Sequence, residues 1–408
     1  MKYIHAIPIF VAMLAMASGF ASDDPNLQLV SAHNPVAPSS LPPYMFRCEN
    51  GLSATINGYL NVKGVQIPGQ QTHLLTVPGL AAPLPVSVVM QDRPAPLVVV
   101  LLGISGEAKS DFSKLWPSYF ADAGYNVLTF DSSFRPEFIE LGGSKVGVPG
   151  NVWAETALDR DIIQTFLERF GERTTKIGIV GMSYGGTEAL ILGQMAMEGK
   201  VPFKIDAIQA YSPPADMRQS AKIIDGYYNN HRFDYTLIEM KTEVEKHHQA
   251  CGELSDDLMR AVLATSFESA LSDAVLATDH HFGLSLFSKD PELRKDESKQ
   301  WGFERYAYDL ALPWWRQRLA KDQIDDFVFA STLENLLKHQ PACSQAIIAA
   351  DDPLNDPVDT RVLRAHLAET PLTILPNGGH LGYIADPWTR AKLLTLFDCV
   401  ADKTAKSR

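Results

Sequence analysis

Lys176-Ile177-Gly178-Ile179-Val180-Gly181-Met182-Ser183-Tyr184-Gly185-Gly186-Thr187-Glu188-Ala189-Leu190 is the stretch that decides the fold. It begins as an apolar strand and passes without a spacer into a helix-forming run. The junction reads G-x-S-x-G. A strand that turns at once into a helix holds the middle residue in a strained conformation, with its side chain above the sheet. Gly181 and Gly185 fit a crossing where a Cβ would collide with backbone, and Gly186 adds room for close packing. Ser183 therefore sits at a helix N-terminus, whose amides favour developing negative charge.

Outward from this junction the pattern repeats. Leu97-Val98-Val99-Val100-Leu101-Leu102 is apolar throughout, as in a strand buried on both faces of a parallel sheet. Similar runs stand at 126–130, 207–211 and 346–349. Leu158, Ile162, Phe166 and Phe170 recur at helical spacing between them. Strands alternating with helices predict an α/β fold, a mostly parallel central sheet with helices on both faces. Residues 51–91 read as strands, with Leu60–Lys63 and Thr72–Val77 separated by turns that contain Pro and Gly. Between Asp216 and Cys343 no strand is evident; Glu239–Ala250 and Ser255–Ala274 are helix-prone, as in an insertion folded over the sheet edge.

A serine hydroxyl needs an adjacent base to act as a nucleophile. Of eleven histidines, His380 alone follows a late strand-like run, Leu372-Thr373-Ile374-Leu375, inside Gly378-Gly379-His380-Leu381-Gly382. A carboxylate at another strand end fixes such an imidazole. Asp352, after Ile347-Ile348-Ala349-Ala350, fits best by its place in the loop, with Asp351 and Asp356 as alternatives. Two backbone amides must face the oxyanion. Tyr184 supplies one, and Ile104 in Leu102-Gly103-Ile104-Ser105-Gly106 supplies the other, although no His precedes Gly103.

Leu101–Gly106, Gly181–Gly186, Ala350–Pro353 and Gly378–Tyr383 together resemble the α/β-hydrolase superfamily, most closely the esterase group related to YheT and the ABHD proteins. The resemblance covers about 95–216 and 343–400. It implies the α/β-hydrolase fold, a Ser183–His380–Asp352 triad, and a cap formed by the insertion. The implied organisation is a β-rich N-terminal segment over 22–94, core over 95–216, helical cap over 217–342, and core again over 343–408. The implied reaction is hydrolysis of a carboxylic ester, from a small-molecule or lipid-like substrate, through an acyl-enzyme, with no metal or organic cofactor. A peptidase or amidase with the same residues, and a binding protein without turnover, are the competing readings. In the amidase reading Asp216 and Glu107 are candidates to bind a substrate amine.

The remaining features set the context. A formal net charge of −12 argues against nucleic acid as a partner. Lys2, the apolar run Ala6–Ala17 and Gly19-Phe20-Ala21 predict a cleaved signal peptide over 1–21, hence a protein exported to the periplasm or secreted. No later segment reads as a membrane span. Cys48, Cys251, Cys343 and Cys399 permit two disulfides in that compartment; of the three pairings, which sequence alone does not rank, Cys48–Cys399 with Cys251–Cys343 is the one expected to tie the chain ends and clamp the insertion. His247-His248 and His280-His281 lack metal-ligand spacing and read as solvated helix positions. Trp314-Trp315 is expected to anchor the insertion, and the glycines at 142, 143, 147 and 150 to edge the cleft.

Overall fold

The computed structural model describes residues 29–30, 40–48, 50–231, 237–247, 254–319, 332–356 and 372–399. In chain order the strands are β1 (Leu29–Val30), β2 (Gln71–Leu75), β3 (Leu84–Gln91), β4 (Ala95–Leu101), β5 (Asn126–Thr129), β6 (Thr174–Met182), β7 (Ala207–Tyr211), β8 (Ser344–Ala349) and β9 (Leu372–Leu375). The helices up to the insertion are α1 (Gly51–Leu60), α2 (Asp111–Asp122), α3 (Pro136–Ile139), α4 (Val152–Phe170) and α5 (Tyr184–Met197). Within it lie α6 (Met217–His231), α7 (Leu237–His247), α8 (Asp256–Phe282), α9 (Pro291–Ser298), α10 (Phe303–Arg305), a π turn at Tyr306–Ala311, α11 (Leu312–Arg316) and α12 (Leu333–Leu337). A last helix, α13 (Pro387–Leu394), follows β9.

The sheet runs β2-β3-β5-β4-β6-β7-β8-β9, with β1 also paired to β3. β3 is antiparallel to both β2 and β5, and every pairing from β5 to β9 is parallel. The apolar runs at 97–102, 126–130, 176–180, 207–211 and 346–349 all fall in or around these parallel strands. Their alternation sorts two cores. Leu97, Val99 and Leu101 pack with Ile162 and Phe166 of α4 and Leu190 of α5. Val98 and Val100 pack with Trp116 and Phe120 of α2 and Leu393 of α13. Successive side chains of a strand point to opposite faces, so a sheet sandwiched between two helix layers requires the unbroken apolar runs seen in the sequence.

One strand expectation fails. Residues 51–60 form α1, and Leu60–Lys63 pair with no strand. Asn50 caps this helix by accepting from Ser53 N–H. Its Gly, Ser, Thr and Asn are poor helix formers, but it packs onto the chain after β9. A Cβ on Gly58 would lie 2.5 Å from Gly382 Cα. Tertiary contact overrides local propensity here.

Between β7 and β8 the described residues contribute helices and no sheet strand. The insertion is pinned where it leaves and rejoins the core. Asp216 and Thr332 form an antiparallel bridge, and Leu333 N–H donates to Ala215 O at 2.9 Å. The 27-residue α8 is its spine, capped by Ser255 and ended by Gly283 at φ 61°. Trp315 Nε1 donates to Val148 O at 2.9 Å, and Trp314 packs edge-on to Trp315, so this pair ties the insertion to the core.

The expected cysteine pairing is wrong. Cys343 bonds to Cys399, with Cα atoms 5.9 Å apart, a normal span. Cys48 is also disulfide-bonded, and Cys251 lies outside the described residues. The reason is the path of the C-terminus. After α13 the chain passes under the sheet, where Leu396 and Phe397 fill the space beside Gly178, and Gln209 Nε2 donates to Lys392 O at 3.1 Å. That brings Cys399 to the foot of β8.

A buried carboxyl pair gives the insertion a pH dependence. Asp225 of α6 accepts from Phe303 and Glu304 N–H at 2.7 and 2.9 Å. Glu268 of α8 is buried beside it with no donor for either carboxylate oxygen. Burial, then the Asp225 charge, pushes the Glu268 carboxyl up to about 10, so it keeps its proton and donates to Asp225. A carboxyl raised in the folded state gives its full stabilisation below its unfolded value of about 4.5, and loses it progressively as pH rises toward the folded value. Glu268→Gln keeps the donor and does not titrate. It should therefore stabilise the protein more at pH 8 than at pH 5, by a few kcal/mol, since each pH unit between the two values is worth about 1.4 kcal/mol. Thermal melts of both proteins at both pH values measure this, and an equal difference at the two pH values counts against the pair.

Candidate active site

β6 delivers the chain to Ser183, which adopts φ 53° and ψ −118° before α5 begins at Tyr184. An L-residue held at positive φ is strained, and such strain gathers where surrounding structure enforces it. Here the enforcement is visible. Ser183 N–H donates to Tyr211 O at 2.8 Å, while Gly186 N–H returns to Ser183 O at 2.9 Å. A Cβ on Gly181 would collide with Gly185 backbone, and one on Gly185 would lie 2.5 Å from the Leu101 backbone. The two motif glycines are thus required by backbone crossing.

Asp352 and His380 arrive from the ends of β8 and β9. His380 Nε2 lies 2.8 Å from Ser183 Oγ. Its Nδ1 lies 2.8 Å from Asp352 Oδ2. The residues are 8%, 7% and 4% exposed for Ser183, His380 and Asp352, so the chain of contacts is screened from bulk water. Asp352 Oδ1 also accepts from Leu354 N–H at 2.9 Å, which fixes the carboxylate plane. The alternatives stand elsewhere. Asp351 Oδ1 accepts from Gly379 N–H at 2.9 Å, supporting the histidine loop without touching the ring. Burial raises its carboxyl, opposed by the loop amides. Asp356 has no contact with His380 among the contacts described.

A β-strand order of this kind, an antiparallel second strand, and a strained serine between the β6 strand and a helix decide the architecture. The chain has the α/β-hydrolase fold. No protein-family model matches the chain, and no curated protein sequence does. Solved structures are similar to it in shape. An esterase of Pyrococcus furiosus is 14% identical, over 82% of this chain and 94% of the other, at a TM-score of 0.46. Naproxen esterase (carboxylesterase NP) from Bacillus subtilis is 13% identical, over 87% and 100%, at 0.45. A proline iminopeptidase of Mycobacterium smegmatis is 14% identical, over 81% and 100%, at 0.41.

The loop after β4 stands beside the serine. The Cβ position of Gly103 is 3.3 Å from Ser183 Cβ. Gly106 N–H closes a turn onto Gly103 O at 2.9 Å, with Ser105 at φ 58°. The Ile104 N–H, inside that turn, enters no hydrogen bond among the described residues. Tyr184, the other candidate amide, is anchored through its side chain: its hydroxyl donates to Glu155 Oε2 at 2.7 Å. Glu155 of α4 also accepts from Ser133 Oγ and Gly150 N–H. Burial raises its carboxyl, and these donors oppose the rise.

Several of these supports are not legible in the sequence. Thr55 of α1 accepts from His380 N–H at 2.8 Å and donates to Gly51 O at 2.7 Å. Ser212 stands 3.0 Å from Tyr383 OH and accepts from Leu381 N–H at 3.4 Å. No local pattern marks such residues. Asp216 and Glu107, the candidates for an amine site, are engaged elsewhere. Asp216 caps α6 by accepting from Arg218 N–H at 2.8 Å, and Glu107 faces Arg135 at 3.9 Å.

Ser183 and His380 open into a cavity of about 150 Å³. Its walls are mostly apolar, including Ile56, Phe112, Phe134 and Met182, and α8 of the insertion closes one side. The glycine-rich loop does not border it. Gly142 and Gly143 pack against His281 and the 79–81 backbone, and Gly147 lies under Trp315. Of the other paired histidines, His280 is exposed and His281 stacks edge-on with Phe282; His247 and His248 lie outside the residues whose side chains are described. Among the described residues no helix is long and apolar enough to cross a membrane, and no cluster of His, Cys, Asp and Glu has the arrangement of a metal site.

Proposed function

We propose that the protein is a serine hydrolase that cleaves carboxylic esters, with residues 217–342 acting as a cap over the site. The observation that supports this is the unbroken chain of 2.8 Å contacts from Asp352 through His380 to Ser183. Ser183 Oγ adds to the ester carbonyl as its proton passes to His380 Nε2. Asp352 receives the Nδ1–H and stabilises the imidazolium. The amides of Tyr184 and Ile104 face the oxyanion. When the tetrahedral adduct collapses, His380 returns the proton to the departing alkoxide, leaving an acyl group on Ser183. Water then gives its proton to His380, attacks the acyl carbonyl, and releases the acid with Ser183 reprotonated.

A largely apolar cavity beside the serine suits an acyl or alkyl chain. Export fits the disulfide between Cys343 and Cys399, because such bonds persist in oxidising compartments. A panel of p-nitrophenyl esters set against aminoacyl p-nitroanilides tests the reaction class. Turnover of the esters is expected to dominate; preferential cleavage of the anilides would move the protein to the peptidases.

A further inference from the structure

The cavity is not uniformly apolar. One stripe of α8, Leu263, Ser266, Phe267, Ala270 and Asp273, lines it at helical spacing. Asp273 is half-buried and makes no hydrogen bond or ion pair among the described residues. The other charged group on the wall is Arg135. It is already committed: its guanidinium meets Glu137 at 3.0 Å and Glu107 at 3.9 Å. Lys295 and Lys299 act on Asp273 only through space, as do Arg135 and, with the opposite sign, Glu137. Burial outweighs these influences and raises the Asp273 carboxyl.

A carboxylate withdrawn from water without a partner is costly, and the cost falls when a cation joins it. Ligand cavities are commonly apolar with a few placed polar groups that set specificity. We propose that Asp273 is the specificity-determining residue of this cavity, selecting substrates that carry a protonated amine away from the scissile carbonyl. This rests on the ester-hydrolase reading and narrows its substrate class: apolar Phe267 and Leu263 take the chain, and Asp273 takes its cationic end.

Direct binding tests it without requiring turnover. Hexylammonium, 1-hexanol and hexanoate share a chain and differ in the charge of the head. By calorimetry, hexylammonium should bind the wild-type protein at least about 10-fold more tightly than hexanol, with hexanoate weakest. Asp273→Asn should bring the ammonium-to-alcohol ratio close to one. Asp273→Lys should invert the order in favour of hexanoate, which a merely misfolded protein cannot do. A wild-type preference for hexanol or hexanoate, or ratios that neither variant changes, would overturn the assignment. Turnover of the neutral p-nitrophenyl heptanoate reports separately on the hydrolase reading, so the two can fail independently.

Discussion

Replacing Ser183 with Ala should lower ester turnover by about 10⁴-fold or more while leaving the fold intact. The side chain makes one described hydrogen bond, to His380 Nε2, and its removal leaves no buried charge without a partner. The strained backbone at φ 53° is held by Tyr211 and Gly186 through main-chain bonds, none of which depends on the hydroxyl. A methyl group adopts the same position without colliding with the Cβ-free Gly103. The variant should therefore melt within a few degrees of wild type, and kcat/KM on p-nitrophenyl butyrate is the quantity to measure. Turnover within a factor of ten of wild type would place the nucleophile elsewhere.

Asp352→Asn should be almost as damaging, by roughly 10³- to 10⁴-fold, through the tautomer of the histidine. Leu354 N–H needs an acceptor at the Oδ1 position. In the Asn variant the amide oxygen takes that place, which turns the NH₂ toward His380 Nδ1. The ring then carries its proton on Nε2, facing Ser183, and has no lone pair there to accept the serine proton. Asp351→Asn should cost far less, because Asp351 holds Gly379 N–H and an amide oxygen can do the same. Asp356→Asn should cost least. Rates of the three variants on one ester give the order; a crippling loss at Asp351 or Asp356 with activity kept at Asp352 would move the acid.

The elements readable in advance share a property: their chemistry is local. Leu97–Leu102 is apolar at every position because both faces of β4 are covered. Likewise Gly181 and Gly185 are glycines because a Cβ has no room between adjacent turns of chain. The alternation of such runs predicts the parallel strands from β4 to β9. By contrast, the sequence of α1 reads as strand. Its Gly51, Thr55 and Gly58 are suited to close approach to the 378–382 loop, a surface near the far end of the chain and invisible to propensity. The same separation, 325 positions, hides Thr55 behind His380. Glu155 and Asp273 look like solvated helix charges until α4 and α8 are placed against the loops they face. The disulfide depends on where the C-terminal segment crosses under β6, which no cysteine spacing encodes.

Labelling with a fluorophosphonate, followed by peptide mass spectrometry, tests the central claim most directly. Such a probe phosphonylates a serine only when a neighbouring base and an oxyanion site activate it. The prediction is one adduct per chain, on the peptide that carries Ser183, with labelling abolished in Ser183→Ala and strongly slowed in Asp352→Asn. An unlabelled protein that remains folded, or an adduct on another serine that persists in Ser183→Ala, would contradict it.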